Sequence, residues 1–167
     1  QTDARVVMVA DVQEAAAQRR AEALGCAWTA DWRELLARPD IHAVSICTPN
    51  ASHFEPAKAA IEAGKAVLCE KPMTTSRADA EELVRLVHEH GTFFQVAYMK
   101  RYHPVMRRFK ELVPLVGAPV LGLVRCYQPM AESQWANAIS WHFRKDGAGG
   151  GPLVHGGSHT LDLLHWA

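Results

Sequence analysis

The chain has 167 residues, 18 Lys and Arg set against 18 Asp and Glu, and 49% apolar composition. This is the make-up of an ordinary globular protein long enough to bury a core. With no basic excess, no charge block and no apolar run near the roughly 20 residues of a membrane-crossing helix, the sequence points away from nucleic acid, disordered tails and membrane spans. No leader pattern opens the chain. It starts at Gln1 without Met, which leaves room for a leader already removed, and the expected compartment is the cytoplasm. The cysteines at 26, 47, 69 and 126 form no Cys-x-x-Cys pair, so metal-ligand spacing is absent. Cys47 and Cys69 lie in apolar runs and read as small core residues of a reducing compartment.

In chain order, residues 5–11 read as a buried strand ending in Asp11. An alanine-rich helix follows over 14–24, stopped by Gly25. A short strand over 26–29 and a short helix over 32–37 come next, the latter stopped by Pro39. Residues 42–47 form a second buried strand, ending in Thr48-Pro49-Asn50. Ser52 and Glu55 have the spacing of a capping box for a helix to Ala63. A strand over 66–69 precedes a helix opened by Ser76, with Ala80, Leu83, Val84 and Val87 at helical spacing and Gly91 as its stop. Residues 92–97 form a further strand. This alternation predicts a parallel sheet built from βαβ units and covered by helices on both faces. Beyond residue 98 the pattern changes. Pro104 opens a helix to about Leu112, residues 119–128 read as a longer strand, and a last helix follows Gly149-Gly150-Gly151-Pro152. A domain boundary is placed near residue 100, giving domains 1–100 and 101–167.

Two places carry chemistry. The strand Val67-Leu68-Cys69 ends in Glu70-Lys71-Pro72, and ligands of open α/β sheets bind at such carboxyl ends. Lys71 supplies a charge there and Pro72 fixes the adjoining backbone. On the last helix, at about 100° per residue, His155, His159, Asp162 and Trp166 share one face while Leu153, Leu161 and Leu164 share the other. The leucines are expected to be buried. The polar face has three readings: a solvated surface, a metal site using His155 and His159, or a general base facing a substrate. Gly156 and Gly157 weaken helical rigidity and no His-Glu-x-x-His pattern is present, so no metal is assigned.

The ordered set of Asp11, Thr48-Pro49-Asn50 with His53, Glu70-Lys71-Pro72, and Gly149-Gly150-Gly151-x-Leu-x-x-x-Gly-x-His159-x-x-Asp162 resembles the Gfo/Idh/MocA family of NAD(P)-dependent oxidoreductases. The resemblance covers nearly the whole chain. It implies an α/β fold: a Rossmann-type parallel sheet, truncated here, followed by the start of an α/β domain with a mostly antiparallel sheet. It also implies oxidation of a secondary hydroxyl of a sugar, inositol or related polyol, or reduction of the matching ketone. Lys71 would hydrogen-bond the reacting oxygen and the nicotinamide ribose, and His159 would exchange the hydroxyl proton. Asp162 would hold substrate or orient His159, and His155 is a substrate-binding candidate. Asp11, Thr48, Pro49, Asn50, His53, Glu70, Lys71 and Trp141 would face the cofactor, with Ser52 as a cap and core burial the alternative for Trp141. An acid at Asp11 accepts from an adenosine ribose and repels a 2′-phosphate, which favours NAD over NADP. Arg101 is assigned to the domain junction.

The sequence departs from the family in two ways. No Gly-x-Gly-x-x-Gly occurs, so the first strand, glycine loop and helix, about 25–30 residues, are expected to be missing. The strands at 6–10 and 43–47 would then each lose a neighbour. The chain therefore reads as an internal fragment of a larger enzyme, inactive and weak toward dinucleotide by itself. Second, His155 stands where members commonly carry Asp four residues before the catalytic His. The main alternatives are a redox-assisted NAD-dependent glycoside hydrolase and a noncatalytic sensor on the same scaffold. A metal-dependent hydrolase using His155, His159 and Asp162 is a further one. Parent proteins are expected to be homo-oligomers without nucleic-acid or membrane partners.

Overall fold

The structure is a computed structural model that describes residues 4–118, 123–125, 141 and 144–167, with backbone alone at Pro152 and His155. Five short strands alternate with helices through the first hundred residues. In order they are β1 (Met8–Ala10), α1 (Glu14–Leu24), β2 (Ala27–Thr29), α2 (Trp32–Ala37), β3 (Ala43–Ile46), α3 (Phe54–Glu62), β4 (Ala66–Cys69), α4 (Arg77–His90) and β5 (Phe94–Val96). Tight 3-10 turns at Asn50–Ser52 and Met99–Tyr102 lead into α3 and α5 (Pro104–Leu112). After a third 3-10 turn at Val113–Val116, the described chain resumes in α6 (Lys145–Ala148), α7 (Pro152–His155) and α8 (Gly157–Trp166).

The helices begin and end for local reasons. Gly25 and Gly91 close α1 and α4 at φ of 63° and 61°, the left-handed region that side chains disfavour. Asp31 caps α2 by accepting from Arg33 N, and Ser76 caps α4 by accepting from Asp79 N at 3.4 Å. Pro104 occupies the first turn of α5, where its missing N–H costs nothing. The capping box predicted at Ser52 and Glu55 does not form. Ser52 lies in the 3-10 turn, and α3 starts two residues later with no side-chain cap.

All strand pairs are parallel, in two separate sheets: β1 with β2, and β3 with β4 and β5. Among the described residues β1 and β3 do not pair with each other. The sheet β3–β4–β5 packs one face on α3 and α4. Ile46, Val67 and Cys69 meet Ala57, Ala60, Ile61, Leu83 and Leu86 there. Burying Ile61 and Leu83 fully contributes roughly 1.5–3 kcal/mol each. The other face differs from expectation. Ala43, Ser45 and Leu68 point outward, with Leu68 42% exposed. The two-sided apolar composition thus does not translate into two covered faces among the described residues.

Three more expectations are corrected. The last helix is two pieces, because the chain turns at Gly156 between α7 and α8. Leu153, Leu161 and Leu164 are exposed, while His159, Asp162 and Trp166 turn inward and are half-buried. The helix therefore packs the face that the sequence assigns to solvent or substrate. Cys47 is exposed, whereas Cys69 is fully buried. Most of the strand expected at 119–128 lies outside the described residues, as do Cys126 and the His155 side chain.

Candidate active site

The parallel register brings three strand ends together. Ile46 and Cys69 are paired, Glu70 N donates to Ile46 O at 2.9 Å, and Ala97 N donates to Cys69 O at 2.8 Å. The loops after β3, β4 and β5 therefore leave the sheet side by side at its carboxyl edge, where ligands of such sheets sit. Lys71 is the second residue of the middle loop. Its backbone N–H donates to Glu70 Oε2 at 3.1 Å, and the Lys71–Pro72 bond is cis with Pro72 buried. Desolvation holds the Lys71 ammonium below the usual lysine range. The Glu70 carboxylate opposes this and the nearby Lys100 ammonium reinforces it.

His159 reaches the same place from α8. Its ring meets Tyr98 edge-on, with centroids 6.1 Å apart and planes at 77°. Among the described residues nothing hydrogen-bonds the buried Nδ1. Desolvation depresses the His159 pKa, and Lys71 and Lys100 depress it further against weaker support from Glu70 and Asp162. The imidazole is therefore biased to its neutral form, the form that accepts a proton.

Asp162 has a different neighbour from the one expected. Arg101 Nε donates to Asp162 Oδ2 at 2.8 Å, and Arg101 Nη2 donates to Oδ1. The Asp162 side chain is 6% exposed. Both carboxylate oxygens are thus occupied by one guanidinium in fork-to-fork geometry. Asp162 anchors α8 to the turn Met99–Tyr102 rather than bonding His159. The Lys110 ammonium adds a second tie, donating to Trp166 O and lying 4.5 Å from the Trp166 ring centroid. Burial and the Asp162 charge push the Tyr98 phenol up.

The residues expected to face a cofactor divide by accessibility. Asp11 and Thr48 are exposed, and Pro49, Glu70 and Lys71 are half-buried, all at strand ends. Asp11 Oδ1 accepts from Gln13 N at 2.8 Å and Thr48 Oγ1 donates to Ser52 O at 3.0 Å. Asn50 and His53 are instead sealed inside, 2% and 0% exposed, with backbone partners. Trp141 lies against α6: a Cβ added at Gly147 would stand 2.9 Å from Trp141 Cβ. Among the described residues no group of three or more His, Cys, Asp or Glu is placed to hold a metal ion.

Lys100 and Tyr98 are the site neighbours the sequence reading missed. The signal was available, since Tyr98-Met99-Lys100 directly follows the strand beside Glu70-Lys71-Pro72. Its polar, turn-prone composition instead reads as a junction.

Residues 1–98 match the family model described as an oxidoreductase family with an NAD-binding Rossmann fold. The chain is 34% identical over 169 residues to 2,7-anhydro-N-acetylneuraminate hydratase of Mediterraneibacter gnavus, covering 99% of this chain and 43% of that protein. It is 34% identical over 168 residues to inositol 2-dehydrogenase 3 of Saccharopolyspora erythraea, covering 99% and 46%. Among solved structures, a levoglucosan dehydrogenase in complex with NADH and levoglucosan superimposes with a TM-score of 0.80 at 29% identity, over 96% of this chain and 44% of that one. The chain thus spans less than half the length of these relatives. The match over its first 98 residues and the parallel βαβ architecture show that it belongs to the Gfo/Idh/MocA oxidoreductase family with the NAD-binding Rossmann fold.

Proposed function

We propose that this chain carries the reacting centre of an NAD-dependent dehydrogenase or reductase acting on a secondary hydroxyl or ketone of a sugar, inositol or related polyol. The observation that supports it most is that Lys71, at the carboxyl edge of the sheet, lies near enough to His159 for its charge to depress the imidazole, each group having its charged form disfavoured. Groups at the strand ends suit a dinucleotide: exposed Asp11 for the adenosine ribose, exposed Thr48 and half-buried Pro49 along its length, and half-buried Glu70 and Lys71 at the nicotinamide end. The bound nicotinamide supplies the hydride acceptor.

The chain's own residues handle the proton and the oxygen. His159, neutral at working pH, takes the hydroxyl proton in the oxidative direction. Lys71 donates a hydrogen bond to the same oxygen and stabilises the negative charge that grows there as C–H cleavage proceeds. In reduction His159, once protonated, delivers that proton to the oxygen, while Lys71 keeps its hydrogen bond and polarises the carbonyl. Arg101 and Asp162 keep α8 against residues 99–102, so His159 stays over the strand ends. The domain division near residue 100 falls at this seam.

The dehydrogenase names among the relatives favour this reading over a second, suggested by the name of the hydratase relative, in which the same centre handles a sugar-like substrate without net oxidation. A screen of inositols, sugars and anhydrosugars with the intact protein, followed by reduced-nicotinamide absorbance, separates the two. Accumulation of NADH with one of these classes is expected, faster with NAD than with NADP. Product formation dependent on bound NAD but without NADH accumulation would replace the first reading by the second.

A further inference from the structure

One short turn touches the backbone of the Lys71 loop and of the segment that leads toward His159. Asn50 opens the 3-10 turn and His53 follows it. From Asn50, 2% exposed, Nδ2 donates to Ala148 O at 3.0 Å, across 98 residues of sequence. From His53, fully buried, Nδ1 lies 2.8 Å from Pro72 O and Nε2 lies 2.9 Å from Thr48 O. Carbonyl oxygens only accept, so a protonated ring nitrogen donates to its partner. Pro72 directly follows Lys71. Ala148 leads through Gly149-Gly150-Gly151 into α7 and α8, and so to His159.

The loop Gly149-Gly150-Gly151 is held closely at its first residue. Gly149 sits at φ 75°, and a Cβ there would stand 2.1 Å from Thr75 Cγ2, which is on the Lys71 loop. Asn50 thus holds Ala148 on one side and Thr75 closes against Gly149 on the other, leaving no room for a side chain at Gly149, whereas Gly151 is open. Both polar residues are too deep to touch a dinucleotide at the surface, although the sequence assigns them to cofactor contact.

The geometry points to Asn50 and His53 as positioning residues that set the spacing between Lys71 and His159 by clamping the backbone of the Lys71 loop at Pro72 and of the segment leading to α8 at Ala148. This rests on the proposed dehydrogenase reading and adds to it. Misplacement of a reacting group by about 1 Å costs on the order of 100-fold in rate, so small losses of clamp geometry should appear in kcat.

The test uses the intact protein with Asn50→Ser, which removes the amide donor, and Gly149→Ala, which pushes the same loop from its other side. NAD affinity is measured by titration, and kcat is taken per NAD-binding site, so unfolded protein does not count. For each variant kcat is expected to fall roughly 10- to 100-fold. NAD affinity should change less than about threefold, and the acid limb of the kcat profile should move toward the ordinary histidine range as His159 leaves its buried position beside Lys71. A tenfold loss of NAD affinity in Asn50→Ser, or an unchanged kcat, would overturn the inference. If Asn50→Ser does not fold, Gly149→Ala decides on the same criteria. Lys71→Met in the same assay keeps the two readings apart. Retained turnover there removes the catalytic reading, whereas an inactive Lys71→Met beside a fully active Asn50→Ser removes the clamp alone.

Discussion

Arg101 grips Asp162 through both carboxylate oxygens, joining the turn after β5 to the helix that carries His159. The carboxylate is nearly sealed from water and the guanidinium is about one-third exposed. Removing one partner strands the other. Hydrogen bonds to charged groups contribute about 1.5–3 kcal/mol, so Asp162→Asn and Arg101→Met should each destabilise by an amount in this range. The double variant should cost less than the sum of the two. Urea unfolding of the four proteins measures this, and strict additivity would show that the pair does not act as a unit.

In the proposed mechanism the acid limb of oxidative kcat reports His159, because the protonated imidazole cannot accept the hydroxyl proton. Desolvation, Lys71 and Lys100 all disfavour its charge, so the limb should lie below the usual histidine pKa of about 6.5. Lys100→Gln removes one of the depressing charges and should move the limb to higher pH. It should also raise the Lys71 pKa, since Lys100 lowers that too. A limb that moves to lower pH in Lys100→Gln would contradict the arrangement.

Cysteine chemistry should follow burial. Desolvation, with the charges of Glu70 and Cys47, pushes the Cys69 thiol up to about 12, so it stays protonated and shielded. Cys47 is exposed. Iodoacetamide on the native protein should label Cys47 well before Cys69, as read by peptide mass spectrometry. Equal labelling of both would mean that β4 opens in solution.

Lys65 is an interior device that no apolar pattern announces. It is 7% exposed, and its ammonium donates to Arg38 O at 2.8 Å and Ile41 O at 2.7 Å, closing the end of α2 against the entry to β4. Lys65→Met leaves two carbonyls without that donor and should cost about 1–3 kcal/mol in thermal or urea unfolding. An effect below about 0.5 kcal/mol, the usual size for a surface substitution, would mean that the lysine is not holding this corner.

What was legible in the sequence was whatever local chemistry fixes. Gly25, Gly91 and Pro104 mark real helix limits, and α1, α2, β4 and α5 fall on the predicted residues. The strand end at Lys71 and the histidine at 159 were visible as residue types that matter at such places. Burial was less legible, because it depends on partners distant in sequence. The leucine face of the last helix reads as core by periodicity, yet the polar face packs inward because Arg101, Tyr98 and Lys110 satisfy it. Asn50 and His53 sit in a cofactor-type motif and turn out to be buried clamps, since their partners, Ala148 and Pro72, are 98 and 19 residues away. Lys100 carries no local sequence mark, because its effect is a through-space charge acting on Lys71 and His159 from another segment.

The most direct test of the reacting centre is single-turnover hydride transfer in the intact protein with Lys71→Met and His159→Gln, at saturating NAD and the best polyol substrate. Both variants should bind NAD nearly as the parent does and transfer hydride at least 10²-fold more slowly. In the His159 variant the acid limb should also disappear from the pH profile. Hydride transfer at the parental rate in either variant, with NAD still bound, would contradict the assignment of Lys71 and His159 to the reacting oxygen and its proton.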